Sequence, residues 1–459
     1  MSIATRFLTR ISRSASSANE KLGIGFCCQR RFMRVLTCEE QDLITDVENA
    51  KNRRFVAVWG NGDYGRLGLG SLESKWRPAL CSAFGDGNLR EIACGGAHTL
   101  FLTDAGNVYA AGLNDYGQLG LSDGRSYTLD PLEVSGLPED IVKISAGYYH
   151  SSAITESGEL YMWGKNSSGQ LGLGRKAAKV IPVPNKVDFL NEVPVKMAAL
   201  GSDHSIAVTE NGEVLSWGGG EYGRLGHGHN SSLLGFLSST SEYTPRLIKG
   251  LEGIKIKSVA AGMLHSACID ENGSVFVFGE KAVQKLDGGL PFAEEVACGA
   301  NHICVITRGG ELYTWGSNEN GCLGTGYVIN ALSEYVYRLN TLSGFISNKQ
   351  VTFTFSYIRD THSVYEPERV EGPFVRNSVC KVSCGWKHTA AISDGNVLYL
   401  GLGWRHGHLF GRGHSSGGQL GLGDDVDYVE PTMVDFGESV KVLQISCGFN
   451  HTGAVLEFN

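Results

Sequence analysis

No apolar run in this chain approaches the roughly 20 residues that a helix needs to cross a bilayer, so the sequence predicts no membrane-inserted segment. The 12 cysteines follow no spacing typical of a zinc site or a disulfide framework. Their pattern indicates a reducing compartment and predicts no bound metal. Residues 60–65 match the dinucleotide-binding pattern Gly-x-Gly-x-x-Gly, but another glycine-rich loop follows where that site needs a helix. We therefore expect no cofactor.

Acidic residues are nearly missing from the first 38 residues, which hold one acid against seven basic residues. Arg6, Arg10 and Arg13 would share one face of a helix, with apolar residues on another. An arginine-rich, serine-rich and acid-poor amphipathic leader is typical of an organelle transit peptide. We predict a mitochondrial transit peptide over residues 1–38, which directs the protein to the matrix, and a linker over 39–54. The alternative is a disordered basic tail that binds nucleic acid.

The charge of the remaining chain is acidic. The leader carries a net charge of +6 and the whole chain −8, so the remainder carries −14. Proteins that hold nucleic acid through its phosphates do so with clustered lysine and arginine. The sequence therefore predicts work through protein partners, with little direct nucleic-acid binding.

A Gly-x-x-His motif recurs seven times, at intervals of 52, 54, 61, 37, 86 and 63 residues, at His98, His150, His204, His265, His302, His388 and His451. Two strand-like segments follow the motif and end in Trp-Gly, as at Trp163-Gly164, before a glycine-rich loop such as GDYGRLGLG from Gly62. Periods near 50 residues that combine strands and glycine turns are typical of propeller blades. We predict an all-β fold, a seven-bladed β-propeller over residues 55–459.

The two ends of this repeat region complement one another. Phe55 to Trp59 reads as a strand without a preceding motif, and the chain stops after His451 before any Trp-Gly strand. We predict that the N- and C-terminal strands together close the last blade, because closure removes exposed strand edges. Two stretches interrupt the pattern, residues 327–364 as an insert in the sixth repeat and residues 404–413. Each is either a functional insert or non-native sequence.

The motif histidines recur too regularly to be metal ligands, so we interpret them as tying backbone groups together inside the propeller. Two smaller clusters are interpreted as loop histidines rather than a metal site: His227 and His229, and His406, His408 and His414. Four cysteines that precede the motif glycine are interpreted as packing residues: Cys94, Cys298, Cys384 and Cys447. Cys380 and Cys384 could alternatively form a redox pair.

The combination of Gly-x-x-His, Trp-Gly and Gly-(Gln/Arg)-Leu-Gly resembles the regulator of chromosome condensation repeat family, from about Phe55 to the end of the chain. Together with the leader, it resembles plant mitochondrial members related to the ultraviolet-B photoreceptor. That resemblance implies a seven-bladed propeller. It also implies one of three functions: guanine-nucleotide exchange on a small GTPase, ultraviolet perception, or a non-catalytic mitochondrial scaffold. Such scaffolds support transcript processing, including splicing, or ribosome assembly, and thereby the biogenesis of respiratory complexes.

For nucleotide exchange, the resemblance places the founding member's important acid at Asp203, within Gly201-Ser202-Asp203-His204. Asn301 stands where the same pattern would have a second histidine, so half of an exchange site is present. Ultraviolet perception needs several Gly-Trp-Arg-His-Thr sequences, and only residues 385–389 come close. We favour the non-enzymatic scaffold, with exchange as the alternative and Asp203 as its candidate residue.

Overall fold

The computed structural model describes residues 53–84, 89–228, 241–279, 283–286, 289–318, 321–325, 363–371, 378–393, 396–401, 417–424, 428–434, 436 and 440–458. Residues from Arg54 onward form one compact unit. The predicted transit peptide 1–38, the linker up to residue 52 and the interruption 404–413 lie outside the described residues. The predicted linker also reaches one residue too far, because Arg54 is the first residue of a strand.

The described part of the chain consists of strands and four single-turn 3-10 helices at Asp63–Gly65, Asp188–Leu190, Glu221–Gly223 and Lys249–Leu251. The strands are β1 (Arg54–Gly60), β2 (Lys75–Leu80), β3 (Leu89–Cys94), β4 (His98–Thr103), β5 (Val108–Leu113), β6 (Tyr127–Glu133), β7 (Ile141–Ala146), β8 (His150–Thr155), β9 (Leu160–Lys165), β10 (Val180–Lys186), β11 (Val195–Leu200), β12 (His204–Thr209), β13 (Val214–Gly218), β14 (Glu242–Leu247), β15 (Ile256–Ala261), β16 (Ser266–Asp270), β17 (Val275–Phe278), β18 (Gln284–Lys285), β19 (Ala293–Cys298), β20 (His302–Thr307), β21 (Leu312–Ser317), β22 (Ser363–Arg369), β23 (Val379–Cys384), β24 (His388–Ser393), β25 (Asn396–Gly401), β26 (Tyr428–Val434), β27 (Val440–Cys447) and β28 (His451–Phe458).

These strands form antiparallel four-stranded sheets around a central axis. Six sheets are blades of four consecutive strands, which we number 1 to 6 from β3–β6 to β23–β26. A further sheet, the closing blade, has the strand order β2-β1-β28-β27 and joins the two ends of the chain. The prediction of a seven-bladed propeller is corrected accordingly, while the all-β propeller fold is confirmed. Six blades are continuous in sequence, and the remaining sheet is a composite.

The composite sheet also corrects the predicted pairing between the N-terminal and C-terminal strands of the propeller. The sequence suggested that one N-terminal strand completes the last blade, whereas β1 and β2 both join β27 and β28. β1 pairs with β28 along its whole length, from Arg54 opposite Glu457 to Gly60 opposite His451. β2 pairs with the outer edge of β1, so the closing blade has four strands, as each of the other blades has.

Packing between blades explains the sequence of the second strand of each blade. In β8, HSSAIT, all six residues are buried, because neighbouring blades cover both faces of the strand. The outer strand β10 instead alternates exposed and half-buried residues. Trp163 is fully buried with Leu119, Leu100 and Ile144 between blades 1 and 2. Its indole Nε1 donates to the Gln118 carbonyl at 2.9 Å, which satisfies its polar group.

Two further predictions are corrected by strand boundaries. Ser363 and Val364, assigned to the insert 327–364, belong to β22, where Val364 pairs with Gly316 and is buried. The rest of that insert lies outside the described residues. Cys380 and Cys384 cannot form a redox pair, because both belong to β23. Four residues of extended strand span about 13 Å, well beyond the reach of a disulfide.

Candidate functional site: the central cavity and its loop face

The innermost strands of the blades all end at one face with the motif glycine. These ring glycines are Gly95, Gly147, Gly201, Gly262, Gly299, Gly385 and Gly448. A Cβ atom on any of them would come within 2.5–2.8 Å of the carbonyl oxygen of the ring glycine in the next blade. Glycine is therefore required here by the close approach of neighbouring backbones.

Backbone hydrogen bonds connect the blades just outside this ring. The amide of Gly96 donates to the Gly147 carbonyl at 3.1 Å, and the equivalent bonds continue around the axis until Phe449 donates to Gly95 at 3.0 Å. At blades 5 and 6 the acceptor shifts by one residue, because Met263 donates to Ala300 and Ala300 donates to Trp386. The chain of bonds closes on itself and holds the loops that follow the glycines in a fixed arrangement.

The motif histidines connect adjacent blades through side-chain hydroxyls, and those hydroxyls in turn donate to backbone carbonyls. His98 Nε2 lies 2.9 Å from Ser151 Oγ, and that hydroxyl donates to the Gln118 carbonyl, so the histidine donates to the hydroxyl. Equivalent pairs are His150–Ser205, His204–Ser266, His302–Thr389, His388–Thr452 and His451–Thr99. Burial lowers the pKa of His98 to about 3 and of His150 to about 4. These rings are neutral structural ties.

One seam departs from this pattern. The residue that follows His302 is Ile303, so blade 5 offers no hydroxyl to His265, whose Nε2 has no hydrogen-bond partner. Burial lowers the pKa of His265 to about 4, so this ring is also neutral. The seam between blades 4 and 5 therefore lacks one of the side-chain ties present at the others.

The ring glycines surround a central cavity of about 420 Å³ that opens on the loop face. The loop face is the surface formed by the residues between each ring glycine and its histidine. Aromatic rings form one side of the opening, with Tyr148 and Trp386 both packing on Phe449. Ser202, Asp203 and Arg224 line the other side. The opening thus has an apolar half and a polar half.

Asp203, the candidate acid for nucleotide exchange, lies on the polar side. Its carboxylate contacts Lys165 Nζ at 2.8 Å and Gln170 Nε2 at 3.3 Å. The Lys165 ammonium also lies 5.8 Å from the Tyr116 ring centroid and 5.6 Å from that of Tyr149, within cation–π range. Asp203 is only 30% exposed, so it belongs to an ordered cluster of charged and aromatic groups.

Two arginines near the opening were missed by sequence reasoning. Arg224 donates to the carbonyls of Gly219 and Met263 and pairs with Glu221. Arg66 donates to the Asp63 and Gly96 carbonyls, and burial lowers its pKa to about 10. Both come from the Gly-Arg-Leu-Gly version of the repeated loop. Other copies of the loop have Gly-Gln-Leu-Gly, and this difference between copies is the sequence feature that could have identified the two arginines.

Other candidate residues lie elsewhere. His227 Nε2 is 3.1 Å from Ser216 Oγ on the outer part of blade 3, and His229, His406, His408 and His414 lie outside the described residues. Asn301 follows the ring glycine of blade 5, two blades from Asp203 on the same loop face. In the portion of the chain with described coordinates, no helix has the length and apolarity to cross a membrane.

The model of the RCC1-like domain matches residues 55–454 of this chain. The chain belongs to the RCC1-like domain family. It is 29% identical over 398 residues to the ultraviolet-B receptor UVR8 of Arabidopsis thaliana, covering 83% of this chain and 78% of UVR8. It is 34% identical over 290 residues to the RCC1 domain-containing protein RUG3, mitochondrial, of the same plant, covering 58% of this chain and 62% of RUG3. The family resemblance drawn from the repeated motifs is confirmed.

A solved structure agrees with the architecture. Prp20p of Saccharomyces cerevisiae superposes with a TM-score of 0.69 at 20% identity, covering 94% of this chain and 97% of Prp20p. At that identity the likeness shows the fold alone. Function has to be argued from the loop face.

Proposed function

We propose that this RCC1-like protein is a non-catalytic scaffold of the mitochondrial matrix, which supports organellar RNA processing such as splicing through protein partners. The observation that carries the proposal is the composition of the loop face around the central cavity. It offers an aromatic wall of Tyr148, Trp386 and Phe449 beside cations that are already engaged. Aromatic rings beside satisfied polar groups are typical of protein–protein interfaces.

Three cations near the cavity opening illustrate the point. Lys165 pairs with Asp203, Arg224 with Glu221, and Arg66 donates to carbonyl oxygens beneath the surface. Phosphate binding requires free Lys and Arg side chains that can displace the counterions condensed on the nucleic-acid backbone. Their engagement and the charge of −14 outside the leader both favour a protein partner over naked RNA.

The mitochondrial part of the proposal rests on two further supports. The composition of residues 1–38 is that of a transit peptide. RUG3, to which the chain is 34% identical, is a mitochondrial protein. The link to transcript processing comes from the resemblance to organelle-targeted members of the family, which implies that role. A fusion of residues 1–38 to a fluorescent protein should enter mitochondria, and uniform cytosolic or nuclear fluorescence would overturn the targeting.

Affinity purification from mitochondria tests the scaffold. The full chain should recover RNA-processing or ribosome-assembly proteins, and Tyr148→Ala combined with Phe449→Ala should lose them while the propeller stays folded. Met433→Ala is the matched control, because Met433 is 60% exposed on the outer strand β26 and should change nothing. Recovery of the same partners by the loop-face double variant would contradict the proposal.

Guanine-nucleotide exchange is the second candidate function, because Asp203 lies at the cavity opening and Prp20p, described together with its binding to Gsp1p and histones, shares the fold. Asp203→Ala separates the two functions. A scaffold should keep mitochondrial function, since an ion pair of this exposure contributes about 0.2–1 kcal/mol to stability. An exchange factor should lose its acceleration of nucleotide release from a GTPase while its melting temperature hardly changes.

A further inference from the structure

The seam between blades 5 and 6 brings four side chains with metal-binding atoms together. Blade 5 contributes His302 and Cys304 from β20, and blade 6 contributes Cys384 from the end of β23 and Thr389 from β24. The ligand atoms of His302, Cys304 and Cys384 all lie within 4.8 Å of one another. Thr389 Oγ1 lies 2.9 Å from His302 Nε2, 3.8 Å from Cys304 Sγ and 3.9 Å from Cys384 Sγ.

These separations approach those of a tetrahedral site. Ligands at about 2.3 Å for sulfur and about 2.0 Å for nitrogen from one zinc ion are themselves about 3.3–3.8 Å apart. We propose that this seam binds one thiophilic divalent cation of the zinc class. Cys304, Cys384 and a ring nitrogen of His302 are its ligands, and the fourth position is left to a water molecule. With Nε2 as that nitrogen, the ion takes the place of the hydrogen bond between His302 and Thr389.

Charge selects the class of ion. Binding releases the two thiol protons to solvent, so two thiolates balance one divalent cation and leave a neutral centre. A monovalent ion would leave a net charge in a buried place, which is costly. Because binding releases protons, it should strengthen as the pH rises.

The repeats provide an internal comparison. Three other seams place a cysteine at the position of Cys384, but glycine or alanine replaces Cys304: Cys94 with Gly453, Cys447 with Ala390 and Cys298 with Ala267. The equivalence is direct, because a Cβ atom on Gly453 would lie 3.3 Å from Cys94 Sγ. Among the described residues, three side chains that could bind a metal come together at the seam between blades 5 and 6 and at no other place.

A route for the ion exists, since Cys384 lines the central cavity that opens on the loop face. Sequence spacing gave no hint of the site and led to the expectation that no metal binds. Cys304 and Cys384 are 80 residues apart, and zinc motifs are recognised by short intervals between ligands. Only the packing of one blade against the next brings them together.

Cobalt is the probe, because thiolate-bound Co²⁺ absorbs strongly in the near ultraviolet and visible. The full chain is reduced with a non-thiol reductant under anaerobic conditions and titrated with Co²⁺. The charge-transfer band should saturate at one equivalent, and one equivalent of Zn²⁺ should abolish it. Cys304→Ala and Cys384→Ala should each lose the band and the rise in melting temperature that Zn²⁺ gives the parent. Both substitutions introduce the residue found at equivalent positions, Ala390 and Ala261, so the variants should fold.

Cys94→Ala is the matched control, since Cys94 occupies the strand position of Cys384 without a second thiol, and it should keep the band. The proposal is overturned if the parent gives no band or binds Cu⁺ but neither Co²⁺ nor Zn²⁺. An equal band in Cys304→Ala and Cys384→Ala would overturn it too. So would a disulfide between Cys304 and Cys384 in the purified chain, seen as a mass lower by two hydrogen atoms together with no metal binding.

Discussion

At the scale of single residues, each hydroxyl that follows a motif histidine serves two partners at once. Thr99 Oγ1 donates to the Arg66 carbonyl at 2.6 Å and accepts from His451 Nε2 at 2.8 Å, in a fully buried position. Thr99→Val keeps the shape but leaves His451 unpartnered. We expect a loss of about 1–3 kcal/mol in the free energy of unfolding, measured by urea denaturation.

Thr432→Val is the matched control for that substitution. Its hydroxyl bonds to the Glu430 carbonyl on an outer strand, so the change should stay within about 0.5 kcal/mol. Equal losses in both variants would mean that the histidine–hydroxyl pairs do not stabilise the seams.

Sequence reasoning identified the motif histidines and Asp203 but not their partners. The repeat shows which positions are equivalent, whereas each histidine bonds a hydroxyl in the next blade, such as Ser151 for His98. Likewise, Asp203 meets Lys165 from the preceding blade. Contacts between blades depend on how the blades pack, which a repeat period does not encode.

At the scale of secondary-structure elements, the repeated glycine loop takes two forms. In the glutamine form, the Gln118 side-chain oxygen accepts from the Tyr116 amide at 3.0 Å. Arginine offers no acceptor, and in the arginine form Tyr64 has a φ of 61° and Tyr222 a φ of 60°. The residue after the glycine thus decides the conformation of the turn before it.

Arg66→Gln should therefore return Tyr64 to negative φ, because the new amide oxygen can accept from the Tyr64 backbone. A left-handed non-glycine residue costs on the order of 1 kcal/mol, which the change removes. A crystal structure of the variant is the measurement, with the unaltered loop at Tyr222 as its internal control. A left-handed Tyr64 in that structure would contradict the explanation.

The elements with strong patterns could be predicted from sequence, and the irregular ones could not. β8 and β9 contain the two strand-like segments that follow His150 and end at Trp163-Gly164, because turn residues separate them and β9 is rich in apolar residues. The two-residue strand β18 and the start of β22 gave no such signal. Their place follows from pairing with β17 and β21, which is a tertiary effect.

At the scale of the whole molecule, the buried histidines should make stability depend on pH. Burial lowers the folded pKa of His98 and His302 to about 3 and of His150, His265 and His388 to about 4. The unfolded value is about 6.5, so between about pH 6.5 and pH 4 the unfolded chain binds more protons. Stability should therefore fall as the pH decreases through that window.

Glu91 acts in the opposite sense, since burial raises its pKa to about 7, but it is one group against several. We expect urea midpoints at pH 5.5 to lie well below those at pH 7, with an uptake of several protons on unfolding. A midpoint that does not change over this range would show that the histidines protonate without unfolding the protein.

Closure of the propeller gives a second test at this scale. Removing residues 54–80, which form β1 and β2, should leave two strands of the closing blade with an exposed edge and cause insolubility or a large fall in melting temperature. Removing residues 1–52 is the control and should leave the melting temperature unchanged. A chain without β1 and β2 that melts like the parent would contradict the role of the closing blade.

The composite closing blade also sets a waiting time during biosynthesis. β2 ends at Leu80 and β27 begins at Val440. At translation rates of 5–20 residues per second, about 20–70 s separate the emergence of these strands. During that interval β1 lacks β28, so its unpaired edge is open to aggregation. The propeller can close only after β27 and β28 have been synthesised, so the early strands need protection from aggregation until then.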